Sequence, residues 1–129
     1  MRLLDAVKYR LPLAGIVSIL HRASGLLMFV LLPFIVWLFD NSISSEISYE
    51  TFAAVFVVGI GVLPGWLVKW VVLALIWAFL HHLMAGVRHV WMDATHSVSK
   101  AQGHQSAIFT LAASVLLTVA LGAKLFGLY

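Results

Sequence analysis

The chain contains no cysteine. That absence excludes a disulfide framework, thiolate metal sites, covalent attachment of a c-type haem through C-x-x-C-H, and Cys-ligated iron–sulfur clusters. Charge is scarce as well: Asp, Glu, Lys and Arg make up 10% of the residues, where soluble domains carry ~25%. From Asp40 to Gly65 there is no Lys or Arg at all. No basic stripe with interleaved aromatics is present, so nucleic acid is not expected as a partner. There is no internal repeat and no pair of interrupted helices of the kind that marks transporters. Neither a secretory signal pattern nor an Arg/Ser-rich transit peptide is seen, which favours a bacterial inner (cytoplasmic) membrane.

What is abundant is apolar surface. Hydrophobic residues make up 63% of the 129, against ~45–50% in soluble domains. A soluble protein of this composition would expose large greasy patches, so the chain reads as an all-α integral membrane protein forming a single domain over 1–129. A bilayer core needs roughly 20 apolar residues per helix. Three segments qualify, at about 16–39, 66–87 and 107–125, the second helix continuing to about Met92. The polar stretch 40–51 reads as a loop, and 47–62 as a helix lying in the interface or packed on the bundle. Pro64-Gly65 separates it from the second span, because proline breaks helices except in the first turn. Arg2, Lys8, Arg10 and Arg22 flank the first span, and Arg88 and Lys100 follow the second. The positive-inside rule therefore puts the N-terminus and the 88–105 loop in the cytoplasm. Trp37, Trp66 and Trp70 would form the outer aromatic belt, with Trp91 at the inner end.

Two polar constellations need a reason. In SILHRASG (18–25), Ser18, His21, Arg22 and Gly25 recur at i, i+3, i+4 and i+7, one face of a helix. An interfacial start with Arg22 snorkelling to phosphates would explain this, and so would a polar site at the edge of a bundle. The second stretch is FLHHLMAGVRHVWMD (79–93), where His82, Gly86 and His89 share a face and His81 points about 100° away. At ~1.5 Å per residue, His82 lies roughly 24 Å down the helix from Trp66, still within the hydrocarbon, and His89 about 10 Å lower. An ionisable residue at that depth is a functional candidate, although structural hydrogen bonding is the plain alternative. Zinc would want ligands one turn apart with carboxylates or thiolates. A haem wants an axial imidazole and a small residue one turn away, which His82 and Gly86 supply. His21, Arg22, Arg88 and His89 could then hold its propionates.

The two motifs together resemble those of the cytochrome b subunit of succinate dehydrogenase, the larger of the two small membrane anchors of respiratory complex II. The motifs are S-I-L-H-R-x-S-G at the start of the first span and H-x-x-x-G-x-R-H-x-x-x-D closing the second. Number of spans, total length and motif order agree. The resemblance implies that His82 is an axial ligand of haem b, the other ligand coming from a second anchor subunit. It implies that Ser18 and Arg22 line the ubiquinone site, and that His21, Arg22 and His89 lie near the haem propionates. Electrons would arrive from succinate through a flavoprotein subunit and an iron–sulfur subunit docked on the cytoplasmic side. The long polar N-terminal segment of many relatives, with its R-P motif, is lacking. His81 stands where some relatives carry an aromatic residue and is assigned no role.

Three other readings stay open on the sequence. The chain could be the haem-bearing, quinol-oxidising anchor of a fumarate reductase. It could be a self-contained cytochrome b with His21 and His82 as both ligands of one iron. It could also be a cofactor-free scaffold in which the histidines merely pack.

Overall fold

A computed structural model describes residues 13–96 and 99–128, apart from the side chain of Lys100. Arg2, Lys8 and Arg10, on which the expected orientation leans, lie outside the described residues, as does the Lys100 side chain. Among the described residues there are five α-helices and no strand beyond an isolated bridge between Ile60 and Leu63. The helices are α1 (Leu13–Val30), α2 (Leu32–Ser44), α3 (Glu46–Val58), α4 (Gly65–Thr95) and α5 (Lys100–Leu125). Three apolar stretches are long enough to cross a membrane: Leu13–Val30, Gly65–Thr95 and Ala101–Leu125.

The first span differs from the single helix expected over 16–39. It is interrupted at Leu31, and α2 restarts with Pro33 in its first turn. Proline has no N–H, so the Phe29 carbonyl loses its partner four residues on. The helical path still continues, because Leu31 N–H bonds to Leu27 O at 3.1 Å and Ile35 N–H to Leu31 O at 3.0 Å. The polar stretch 40–51 is not a loop. Helix α2 runs through Asp40 to Ser44, Ser45 takes an extended conformation, and α3 starts at Glu46. The turn is tight because Ser45 and Ser48 form a reciprocal capping box. A Ser99–Gln102 capping box likewise starts α5 at Lys100, seven residues before the apolar run expected to open it.

Helices α1, α4 and α5 pack on one another as a triangle, while α3 bridges α2 and α4, and α2 reaches neither α4 nor α5. Residues at the centre are small. Val17, Ala85 and Ala107 are fully buried together, with Leu13, Ala14 and Leu111 packed around them. Small side chains let helix backbones approach closely where no hydrophobic drive exists between lipid-solvated helices. The large apolar residues point outward, among them Leu26, Phe29, Phe79, Phe109 and Leu116. This inverted distribution suits a lipid environment.

Candidate functional site

Helix α1 carries His21 and α4 carries His82 to the same level of the bundle. Their rings stack, with centroids 4.1 Å apart and planes 9° from parallel. The approach is possible because His82 faces Gly25: a Cβ there would stand 2.9 Å from His82 Cε1 and 3.2 Å from Nδ1. Gly86 performs the same service for His21, whose Nε2 would lie 3.6 Å from a Cβ at that position. His89, exposed and one helical stretch further on, meets the His21 ring edge-on at 5.5 Å. A groove of about 420 Å³ runs along this face, lined by His21, His82, Leu83, Gly86, Val87 and Val90.

The protonation of His82 follows from its neighbours. Nδ1 lies 3.0 Å from the His21 carbonyl oxygen and 3.3 Å from Ser24 Oγ. A carbonyl can only accept, so Nδ1 carries the hydrogen. The Ser24 hydroxyl gives its own hydrogen to the same carbonyl at 2.9 Å and turns an oxygen lone pair towards the imidazole. Nε2 is then the lone-pair nitrogen, and it has no hydrogen-bond partner among the described residues. An N–H held by a carbonyl while the other nitrogen stays available is the usual preparation of a histidine for iron or zinc.

The residues expected from the first motif lie on α1 as its spacing requires. Ser18 is half-buried and Arg22 exposed. Every other Ser and Thr within the five helices returns its hydroxyl to a backbone carbonyl three or four residues back. Ser18 does not, and its Oγ has no partner among the described residues. Arg22 forms no ion pair or hydrogen bond with a described residue either.

Two residues of α4 sit differently from what their motif suggests. Arg88, grouped by sequence with His89, is turned towards α5: Nε donates to Ser106 Oγ at 2.9 Å and Nη2 to the Gly103 carbonyl at 3.2 Å. It lines a neighbouring groove that shares Leu83 and Val87 with the one beside His82 but does not contain His82. His81 is fully buried, stacked on Trp77 at 5.1 Å between ring centroids, and faces the Val17 backbone without completing a well-formed hydrogen bond among the described residues. Both belong to one interior stripe, Ala78, His81, Ala85 and Arg88, all buried. The three-four spacing of that stripe is visible in the sequence and could have placed them. Ser24 could also have been found, since it follows His21 by three residues on the same face. Among the described residues no three His, Cys, Asp or Glu side chains converge on a metal-sized site.

Three membrane-length apolar helices with histidines gathered along one polar face define a small multi-pass membrane subunit. Residues 4–121 match the family described as succinate dehydrogenase/fumarate reductase transmembrane subunit. The chain belongs to that family, as a cytochrome b anchor of the succinate dehydrogenase kind. It is 32% identical over 111 residues to the succinate dehydrogenase cytochrome b556 subunit of Paracoccus denitrificans, covering 86% of this chain and 80% of that one. It is 31% identical over 121 residues to the subunit of the same name from Coxiella burnetii, covering 92% and 90%. The family resemblance carried by the two motifs is thereby shown, and so is the all-α, three-span membrane fold.

Proposed function

We propose that this chain binds haem b together with a second small anchor subunit and forms part of a ubiquinone-reducing site fed with electrons from succinate. The observation that supports this best is the His82 imidazole, with Nδ1–H on the His21 carbonyl and an unengaged Nε2 beside an apolar groove. His82 would be the axial ligand. His21, Arg22 and His89 would meet the propionates, with the flat groove along Gly86 beside the macrocycle. When bound, haem b supplies a one-electron store within reach of the quinone.

The second axial ligand is read as a histidine of the partner anchor. His21 and His82 lie face to face, so their ring nitrogens do not converge on one point between them. That stacking argues against both ligands coming from this chain. The iron–sulfur and flavoprotein subunits would dock on the face that carries His89 and Arg88. By the positive-inside rule this end would lie at the cytoplasmic face of a bacterial inner membrane.

In the quinone site, the unengaged Ser18 hydroxyl would donate to a quinone carbonyl. Arg22 would stabilise negative charge that develops on the ring oxygen as electrons arrive, an effect amplified where water is excluded. Both lie within about one helical turn of His21, so the quinone and the haem edge would be neighbours.

Two measurements on the assembled complex test this. His82→Leu should abolish the sharp b-type band of the dithionite-reduced minus oxidised spectrum; an unchanged band would remove His82 as the ligand. Ser18→Ala and Arg22→Ala should each lower quinone reduction at least tenfold while succinate oxidation by an artificial dye acceptor persists. Wild-type quinone rates in both variants would remove these residues from the site.

A further inference from the structure

A second groove lies between α4 and α5. Its volume is about 660 Å³, and its walls include Leu83, Met84, Val87 and Phe109, with Gln102 and Gln105 at one end. Arg88 stands in its wall, 93% buried from its exposure of 7%. A buried guanidinium is costly unless it is paired. Here two of its nitrogens bond to uncharged oxygens, those of Ser106 and Gly103. Nη1 has no partner, and no carboxylate forms an ion pair with the group among the described residues.

The depth of Arg88 indicates what could supply the missing charge. Helix α4 has 31 residues, so it is about 46 Å long, longer than the ~30 Å hydrocarbon core. Arg88 is the first charged residue after the apolar run that begins at Trp70, and exposed Trp91 and Asp93 follow it. That is where hydrocarbon gives way to headgroups, and Trp91, an interfacial residue type, also lines the groove. The groove thus has a cation and two amide side chains at headgroup level and a mainly apolar wall beyond them, in which Thr110 is the polar residue, its hydroxyl turned back to the Ser106 carbonyl.

We infer that this groove holds one phospholipid, its phosphodiester on Arg88 and the Gln102–Gln105 side of the groove, an acyl chain along Met84, Val87 and Phe109. Such a lipid would seal the α4–α5 seam as an integral component, distinct from exchangeable boundary lipid. The groove adjoins the His82 groove, with which it shares Leu83 and Val87, but Arg88, Gln102 and Gln105 line this side alone.

The test uses the complete complex in mild detergent, washed extensively and examined by native mass spectrometry with a phosphorus assay. Wild type should retain one phospholipid per copy of this chain. After delipidation it should reload with phosphatidylglycerol at least tenfold more readily than with zwitterionic phosphatidylcholine, and excess inorganic phosphate should not compete. Arg88→Gln should lower the retained occupancy at least tenfold, and Arg88→Lys should restore part of it. Should Arg88→Gln fail to assemble, Met84→Trp, which keeps the charge and fills the groove, should displace the lipid. A wild-type complex without retained phospholipid would overturn the inference, and a partner carboxylate would then be the counter-charge. Equal reloading by both lipids, effective competition by phosphate, or full occupancy in Arg88→Gln or Met84→Trp would overturn it as well.

Discussion

Neighbouring histidines on α4 have opposite surroundings. His82 is held through Nδ1 and keeps Nε2 available, whereas His81 is sealed inside the bundle and neither of its nitrogens completes a well-formed hydrogen bond among the described residues. Leaving a buried polar group unpaired costs about 1–3 kcal/mol. His81→Phe removes those nitrogens, keeps the ring stacked on Trp77, and should leave the complex as stable as wild type or more so, with the haem band unchanged. A thermal midpoint well below that of wild type would mean that the His81 imidazole is held by a polar partner, the Val17 backbone being the candidate on α1. His82→Leu should do the reverse, sparing the fold and removing the band. The spacing of His82, Gly86 and His89 made that face legible in the sequence. The burial of His81 and the turn of Arg88 to α5 follow from the Ala78–Ala85 stripe on the neighbouring face, whose small residues mark a helix contact less plainly than histidines mark a polar site. That Ser24 and the His21 carbonyl share one imidazole nitrogen was also beyond the sequence, since it depends on how closely α1 approaches α4 at Gly25.

Among the elements, the spans were legible because length and apolarity alone define them in a bilayer. Their ends were less so. Asp40 and the serines after it look like loop residues, yet serine side chains that bond back to their own helix carbonyls carry α2 to Ser44. The connection from α3 to α4 is the most constrained turn in the molecule. Gly59 has φ +85°, and a Cβ there would run into the Leu63 carbonyl, which is fixed by the reciprocal Ile60–Leu63 hydrogen bonds of 2.9 and 2.8 Å. Gly61 has φ +54° with open space around it. Gly59→Ala should therefore destabilise the subunit by several kcal/mol or prevent its assembly. Gly61→Ala should cost only the left-handed penalty, about 1–2 kcal/mol. Detergent-resistant thermal unfolding of the two complexes would separate them, and equal midpoints would mean that the turn is not the constraint on α3.

The molecule as a whole has little interior of its own. Its buried residues form a thin seam between α1, α4 and α5, and the face bearing Ser18, His21, Arg22, His82 and His89 stays outside it. A polar face of this kind is stable in lipid only when something covers it. The need for a partner was thus apparent from the sequence, but the relation of His21 to His82 was not. Adjacent depth on neighbouring helices suited equally a pair of ligands to one iron and a pair of stacked rings, and only the packing of α1 on α4 distinguishes them. Because the rings stack, the proposed function has this chain supplying one ligand, and low-spin six-coordinate haem should require the second anchor. Expressed alone and purified in mild detergent, the chain should lose the sharp b-type band or show a five-coordinate spectrum, and co-expression with the partner anchor should restore it. A six-coordinate spectrum from the isolated chain that His21→Leu and His82→Leu each destroy would establish the self-contained cytochrome instead, and would require the 4.1 Å stack to open when haem enters.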